Sequence, residues 1–162
     1  MIQSHKMTSE NHPLQCKWVY WAHLPQEKDW TIKGYNKIST MSTVEDIVSI
    51  SSVIPDTLIK NGMLFIMRQG ITPRWEDPKN CNGGCFSYKI SNSDVVYVWK
   101  QLSYALAGES LLSKNNNITG ITISPKKNFC IIKIWMSSCI NKNPAVINYF
   151  KGIDAHGCLF KK

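Results

Sequence analysis

Short runs of β-branched and aromatic residues recur along the chain and predict its strands. Such runs are typical of strands where turn-forming residues bound them, and CKWVYWA at 16–22 is the clearest example. The sequence contains six of these runs, at 16–22, 35–40, 63–68, 85–90, 118–124 and 129–136. Short turns join several of them, which favours an antiparallel sheet.

Segments with apolar residues at helical spacing predict helices between the strands. STVE at 42–45 has the pattern of a capping box, and the apolar residues after it keep helical spacing up to Pro55. A longer helix is expected to begin after Ser93, a good N-cap, and to stop at Gly108. A short helix is expected at 143–151. The pattern predicts an α+β fold with helices on one face of the sheet and the other face partly open.

Length, hydropathy and cysteine content restrict the class of protein. The chain has 162 residues, which fits a single domain at 12–162 after a polar, flexible segment at 1–11. No stretch approaches the roughly 20 apolar residues of a membrane span, and the polar N-terminus lacks a signal region. We therefore expect a cytoplasmic protein without membrane association, whose six cysteines remain free thiols.

The charge of the chain predicts an anionic partner. Nineteen Lys and Arg residues against eleven Asp and Glu residues give a net charge of +8, and a positive field favours encounters with phosphates. The lysines form no run longer than two, which indicates a short phosphate-bearing ligand rather than a continuous duplex-binding stripe.

Three tryptophans at predicted loops or rims, Trp30, Trp75 and Trp135, are candidates for ligand binding. Two indoles from different loops can sandwich a planar cationic ring, because the face of the indole is electron-rich. The carboxylate of Glu76, next to Trp75, can accept hydrogen bonds from two adjacent N–H groups such as those of guanine. Without further support, however, a loop tryptophan is more often structural. The other tryptophans, Trp18, Trp21 and Trp99, are expected in the core.

Five short motifs occur in a characteristic order. They are HPLQ at 12–15, TVED at 43–46, GITPRWED at 70–77, GES at 108–110 and IW at 134–135. In order and approximate spacing they resemble the eukaryotic translation initiation factor 4E family, of which the chain would be a divergent and shortened member.

The resemblance implies a curved antiparallel sheet, backed on its convex face by about three helices, with a ligand slot on the concave face. The slot would bind the 7-methylguanosine cap of mRNA, without a cofactor, a metal or an enzymatic reaction. Trp30 and Trp75 would stack on the methylated base, and Glu76 would bind its Watson–Crick edge. The Trp75 backbone N–H would bind the O6 atom of the base, and Trp135 would contact its N7-methyl group. The protein is expected to be a monomer.

At the phosphates of the cap the chain departs from the family pattern. The family usually has arginine and tryptophan after a glycine pair, here Gly83-Gly84, whereas this chain has Cys85-Phe86. Ile131 stands where a phosphate-binding lysine is common. The resemblance assigns phosphate binding to Lys126, at an arginine position, and to the adjacent Lys127. Lysine binds phosphate as a point charge rather than as a bidentate fork.

The surface that binds partner proteins in the family also differs. The resemblance places a scaffold of the 4G type, or a repressor, on a dorsal patch that corresponds to His12, Pro13, Leu14, Val44, Val48, Lys100 and Tyr104. Val48, Lys100 and Tyr104 replace a tryptophan and two leucines. The lysine must be desolvated or swung aside before an apolar helix can dock, so we expect altered docking.

Other functions fit parts of the sequence. The same fold could serve as a general single-stranded RNA-binding or protein-interaction module without cap selectivity. A zinc site could use Cys81 and Cys85 with Cys139, Cys158 or His156, but their spacing is loose. No histidine lies in a recognisable thiol-enzyme motif. The richness in Asn, Lys and Ile is consistent with an AT-rich genome, such as that of a parasite or a virus.

Overall fold

Residues 10–113 and 117–162 are described by a computed structural model, so most of the predicted flexible segment 1–11 lies outside the described residues. Within the described residues, seven strands form one antiparallel sheet in the order β2-β1-β3-β5-β6-β4-β7. The strands are β1 (Pro13–His23), β2 (Asn36–Thr43), β3 (Met63–Arg68), β4 (Gly84–Ser91), β5 (Ile118–Pro125), β6 (Phe129–Met136) and β7 (Leu159–Lys161). The α-helices are α1 (Val44–Val53), α2 (Asp56–Asn61) and α3 (Val95–Ala107).

The six predicted strands are present, and the predicted α+β fold is confirmed. β3 and β6 have the predicted bounds, 63–68 and 129–136. The sequence patterns do not predict β7, which pairs with β4 at one edge of the sheet. The backbones of β4 and β7 approach each other closely there: a Cβ atom at Gly84 would lie only 2.4 Å from the Lys161 carbonyl oxygen. Gly84 therefore allows β7 to add to the sheet.

One helix was not predicted, and one helix prediction is wrong. The segment after Pro55 forms the short helix α2, because this proline precedes the first helical residue instead of only ending α1. The predicted helix at 143–151 is a single 3₁₀ turn, Pro144–Val146. Beyond the turn, the Asn148 N–H donates to the Leu111 carbonyl at 2.9 Å, so a tertiary hydrogen bond replaces the next helical one.

The first two helices that the sequence predicts form, but the N-cap of each lies one position later than predicted. The capping box of α1 consists of Thr43 and Asp46. Thr43 Oγ1 accepts from the Asp46 N–H at 3.1 Å, and the Asp46 carboxylate accepts from the Thr43 N–H at 3.0 Å. Asp94, rather than Ser93, is the N-cap of α3. The shift follows from neighbouring residues of similar capping ability.

Strand residues alternate between a core that faces the helices and an open concave face. On β1, Trp18 and Tyr20 belong to the buried core, and the Trp99 indole N–H of α3 donates to the Tyr20 hydroxyl at 2.8 Å. Trp18 and Trp99 are thus core residues, as predicted, whereas Trp21 is only half-buried and lies on the opposite face. We call that face the open face; it is formed by Trp21, His23, Ser87, Lys89, Ile131, Lys133 and Trp135.

Candidate functional site

Trp30 is held over one edge of the open face with one side of its ring covered. It lies in the connection between β1 and β2 and is 57% exposed. The His23 ring stacks on it with 4.0 Å between ring centres and 9° between planes. Because a stacked neighbour covers one face of the indole, the other face can take a planar ligand.

Hydrogen bonds within the connection fix the backbone on either side of Trp30. The His23 ring donates from Nε2 to the Asp29 carbonyl at 3.0 Å, and the Thr31 N–H donates to the Asp29 carboxylate at 2.7 Å. The bonds from Thr31 lower the pKa of Asp29. A Cβ atom at Gly34 would lie only 1.7 Å from the Asp29 carbonyl oxygen, so glycine is required for the chain to pass there.

The loop between β3 and β4, which carries Trp75, is closed by two polar side chains. The Asp77 carboxylate accepts from the Thr72 N–H at 2.7 Å, the Thr72 hydroxyl at 2.9 Å and the Lys79 N–H at 2.9 Å. Burial disfavours the charged form of Asp77, but these hydrogen bonds prevail and lower its pKa. Asn80 is fully buried and donates to the carbonyls of Thr72 and Arg74. Asp77 therefore supports the loop instead of facing a ligand.

Trp75 contacts Trp135, which rises from the open face of β6. Their ring centres are 5.8 Å apart with 55° between planes, and Trp75 is 39% exposed. The Trp135 indole N–H donates to Thr122 Oγ1 at 3.2 Å, which fixes this ring against β5. The structure thus brings together two of the three predicted ring-binding tryptophans, and Trp135 is the better anchored of the two.

Glu76 lies at the rim, beside Arg74, a residue without a predicted role. Its side chain is 69% exposed, and Arg74 Nε lies 3.5 Å from its carboxylate. Burial raises the pKa of Tyr35, and the negative charge of Glu76 raises it further. The Tyr35 ring also meets the Trp30 ring edge-to-face at 6.4 Å. Tyr35 therefore contacts Trp30 directly, whereas Glu76 acts on it only through its charge.

Lys126 lies beside Trp30, while Lys127 is exposed in the same turn. A cavity of 410 Å³ is lined by His23, Trp30 and Lys126, among other residues. The Lys126 N–H donates to the Phe129 carbonyl at 2.8 Å, which closes the turn between β5 and β6. One of the two predicted phosphate-binding lysines is thus placed next to a predicted stacking ring.

Three contributors to this site, His23, Arg74 and Tyr35, were not predicted. His23 carries a weak signal, since it is a polar residue at an open-face position of β1. Arg74 lies within the GITPRWED motif, next to Trp75, but the family resemblance assigns no role to it. Tyr35 becomes relevant only through contacts with the ring of Trp30, in the same connection, and with the ring of Phe65, which is distant in sequence. Cross-strand neighbours of this kind are not visible in a local pattern.

The helix-covered side carries an apolar cavity at the predicted dorsal patch. It has a volume of 320 Å³, and four of the residues predicted for that patch line it: Leu14, Val44, Val48 and Tyr104. Val44 and Val48 are 43% and 51% exposed, which is high for valine. These predicted residues therefore share one surface.

The other three residues of the dorsal patch are engaged elsewhere. The His12 ring and N–H donate to the Glu45 carboxylate at 2.6 Å and 3.0 Å, and Pro13 pairs with Thr43 at the start of β1. Lys100 Nζ lies 3.9 Å from an oxygen of Asp56 on α2. The charge of Lys100 is thus directed toward α2, away from the apolar cavity, so this lysine is swung aside and is not desolvated.

The cysteines show no sign of a metal centre within the described ranges 10–113 and 117–162. All six are free thiols. No group of three His, Cys, Asp or Glu side chains in those ranges is arranged to hold a metal ion. Among the described helices, none combines the length and the apolar character that crossing a membrane requires.

Comparison with known proteins gives a family match over most of the chain. The family model described as eukaryotic initiation factor 4E matches residues 13–152. Eukaryotic translation initiation factor 4E-2 of Schizosaccharomyces pombe is 31% identical over 144 residues, which cover 83% of this chain and 57% of that protein. A 4E homolog of Acanthamoeba polyphaga mimivirus is 32% identical over 138 residues, which cover 70% of this chain and 51% of the homolog. The chain thus spans between half and two thirds of the length of these relatives.

Solved structures match the fold. Caenorhabditis elegans eIF4E-3, in a complex with the 4E-binding protein Mextli and a cap analog, superposes with a TM-score of 0.75 at 22% identity, covering 84% of this chain and 80% of that one. Schistosome eIF4E, complexed with m7GpppG and 4E-BP, gives a TM-score of 0.74 at 26% identity, covering 83% of this chain and 77% of that one. The sheet and helices described above thus have the same fold as these proteins.

Proposed function

The chain belongs to the eukaryotic initiation factor 4E family, and from this premise we propose that it binds the 7-methylguanosine 5′ cap of mRNA. In this proposal the methylated base stacks between Trp30 and Trp75, and the protein acts in translation initiation or its control in the cytoplasm, without catalysing a reaction. The solved structure of schistosome eIF4E with m7GpppG, at 26% identity, supports the ligand.

The observation that carries the proposal is a half-covered indole, Trp30, together with a second pair of indoles, Trp75 and Trp135, next to the exposed carboxylate of Glu76. Trp30 keeps one indole face free while His23 covers the other, and the Tyr35 ring meets this indole edge-to-face. A base stacked on the free face of Trp30 presents its N1–H and exocyclic amine at its edge, where a carboxylate accepts both. Trp135, packed against Trp75, is then within reach of the N7-methyl group.

Methylation at N7 makes the base cationic, and both indole faces and the Glu76 carboxylate favour the cation. A desolvated cation–π contact contributes about 2 kcal/mol, and a hydrogen bond to a charged group contributes about 1.5 to 3 kcal/mol. Loss of the ring charge weakens both indole contacts and the bond to Glu76. Because each 1.4 kcal/mol changes affinity about tenfold, unmethylated guanine is expected to bind about 10² to 10³ times more weakly.

Tryptophan fluorescence tests this proposal. 7-Methylguanosine triphosphate should quench the fluorescence of the protein strongly and GTP only weakly. Glu76→Gln should weaken binding of the methylated nucleotide at least about tenfold, because it leaves a guanine donor unpaired. Glu45→Gln, on the helix-covered side, is the matched control and should bind like the wild type. Equal affinity for both nucleotides would instead indicate a general single-strand binder, and unchanged binding by Glu76→Gln would remove Glu76 from the site.

We further propose that the dorsal patch binds a helix of an initiation scaffold of the 4G type or of a repressor. The apolar cavity formed by Leu14, Val44, Val48 and Tyr104 supports this partner. The orientation of Lys100 toward Asp56 supports it as well, since the ammonium group can stay hydrated beside the docked helix.

A further inference from the structure

Four lysines from three strands and one turn converge on the open face. They line a groove of 190 Å³ together with two hydroxyl side chains; these six residues are Ser87, Lys89, Ser124, Lys126, Lys133 and Lys161. We call this surface the lysine groove. None of the six belongs to a sequence motif of the family resemblance, except that Lys126 was predicted to bind phosphate.

The strand register explains why these side chains meet. Ser87 of β4 is paired with Lys133 of β6 on one side and with Leu159 of β7 on the other. Residues two positions apart on a strand share a face, so Lys89 and Lys161 project to the same side as Ser87 and Leu159. The short strand β7 thus adds the fourth lysine to a groove that β4 and β6 already form.

The charge of the lysine groove is uncompensated in the part of the chain that the structure describes. None of its four ammonium groups lies within 4.0 Å of a described carboxylate, and no described acidic residue lines the groove. Like charges held together repel one another, and an anion relieves this repulsion. A groove with this composition therefore favours a ligand that carries several negative charges along its length.

The lysine groove begins where the proposed cap site ends. Lys126 lines both the groove and the cavity that contains Trp30. Lys133 lies two residues before Trp135 on the same face of β6, about 7 Å along the strand. Lys89 pairs with Ile131, four residues from Trp135, so it lies about 13 Å along the strand from this ring. The row of cations therefore extends away from the base-binding rings.

We propose that the lysine groove binds the phosphate backbone of the single-stranded RNA that follows the cap. The proposal rests on the proposed function, because the bound cap places the RNA chain at the end of the groove. An aromatic ring beside the lysines favours RNA over an acidic peptide: Lys89 Nζ lies 4.4 Å from the centre of the partly exposed Phe129 ring. Basic grooves flanked by aromatic rings are typical of surfaces that bind single strands.

Three ligands and two variants test this inference. The ligands are 7-methylguanosine triphosphate, a capped RNA of about ten nucleotides and the same RNA without the cap. Capped RNA should bind about tenfold more tightly than the methylated nucleotide at low salt, because additional phosphates are contacted. Lys89→Gln/Lys161→Gln should remove most of this gain and leave the affinity for the methylated nucleotide unchanged. Lys60→Gln/Lys151→Gln, which removes two exposed charges from the other side of the molecule, is the control and should bind like the wild type.

The salt dependence of RNA affinity gives a second measurement. It detects contacts between the lysines and the phosphates in the wild type, without any substitution. For a single strand, the slope of log affinity against log salt changes by about 0.7 for each phosphate contact. The slope for capped RNA should exceed that for the methylated nucleotide, and Lys89→Gln/Lys161→Gln should reduce it by about 1.4. If the double variant unfolds, the single variants and the wild-type slopes decide the same question.

The outcomes that contradict the inference differ from those that contradict the proposed function. If the methylated nucleotide binds tightly but capped RNA gains neither affinity nor salt dependence, the lysine groove does not bind RNA and the cap site stands. If Lys89→Gln/Lys161→Gln loses the ability to bind an acidic peptide but binds RNA like the wild type, the groove is a protein-binding surface and the inference is overturned. Failure of the methylated nucleotide to bind overturns both proposals.

Discussion

The orientation of the Trp30 indole depends on His23. His23 stacks on the indole and also donates a hydrogen bond to the Asp29 carbonyl, so a single side chain fixes both the ring and the backbone next to it. His23 itself is 3% exposed, which leaves it few alternative positions. We interpret it as a positioning residue, which holds Trp30 ready for a ligand without touching the ligand itself.

Removal of the His23 ring should weaken binding of 7-methylguanosine triphosphate. Ordering a free side chain on binding costs about 0.5 to 1.5 kcal/mol, so His23→Ala is expected to lose about threefold to tenfold in affinity. His23→Phe keeps the stacking ring and should recover most of the loss. His12→Ala, at the dorsal patch, is the control. The measurement is a fluorescence titration together with the thermal unfolding temperature. Full affinity in His23→Ala would show that Trp30 is oriented by other contacts.

The sequence predicts the ligand-facing residues of the site better than their supports. Trp75 and Glu76 stand in a contiguous motif, and Trp135 can be placed by its spacing from it. The supports, His23 and Tyr35, act through rings that approach across β1, β2 and β3. Such contacts depend on the strand register, which the amino-acid pattern of a single strand does not determine.

At the scale of elements, the start of β1 is tied to α1 by a pair of charge-assisted hydrogen bonds. The His12 ring and backbone N–H donate to the Glu45 carboxylate, and the Val44 N–H donates to the His12 carbonyl at 2.8 Å. The bonds from the His12 ring and backbone lower the pKa of Glu45 from 4.5 to about 2. The two hydrogen bonds to Glu45 are therefore strongest while this carboxyl is ionised, whereas the bond from Val44 does not depend on it.

This contact predicts a dependence of stability on pH. A carboxyl group with a lowered pKa in the folded state contributes stability above its ordinary pKa, and this contribution is lost as the pH falls toward the folded-state value. The stability advantage of the wild type over Glu45→Gln should therefore be present above pH 4.5 and shrink toward pH 2. Urea unfolding followed by circular dichroism at several pH values measures the difference. A difference that stays constant with pH would exclude ionisation of Glu45 as its source.

Elements with long runs of apolar residues are predicted well, and short ones are not. β3 and β6 have alternating or continuous apolar residues over six and eight positions and coincide with their predicted bounds. β7 has only the residues Leu159–Lys161 and forms because β4 offers unpaired backbone groups. α2 has only six residues, which is too short for a helical pattern of apolar residues to be recognised, and the proline before it is more often a sign that a helix ends.

At the scale of the whole molecule, one ion pair joins several elements. Arg68, the last residue of β3, donates two hydrogen bonds to the Glu109 carboxylate, at 2.7 and 2.8 Å, and a third to the Ile118 carbonyl at 2.7 Å. Its guanidinium also lies 4.4 Å from the ring centre of Trp18. Burial alone would lower the pKa of Arg68, but Glu109 raises it above its ordinary value. The pair thus fixes the segment after α3 to the sheet.

Loss of Glu109 should destabilise the whole fold. The side chains of Arg68 and Glu109 are only 20% and 11% exposed, so Glu109→Ala leaves a poorly solvated charge and should cost about 3 kcal/mol. Glu109 has a φ of 57°, a conformation that favours glycine. Glu109→Gly should therefore be about 1 kcal/mol less destabilising than Glu109→Ala. The free energy of urea unfolding measures both changes, with Asp56→Asn, at an exposed ion pair, as the control. Equal free energies for alanine and glycine would show that the backbone at this position is not strained.

Pairing between β7 and β4 has a consequence for the order of events while the chain is being made. β4 precedes α3, β5 and β6 in the sequence, whereas β7 follows them all. Domains emerge from the ribosome with the N-terminal part first, and contacts between distant segments form late. A nascent chain that already holds β4 and β6 together would thus keep an unprotected β4 edge until β7 arrives, and an edge of this kind can recruit a strand from another chain. The interval before β7 arrives is therefore the period in which this protein is most exposed to misassembly.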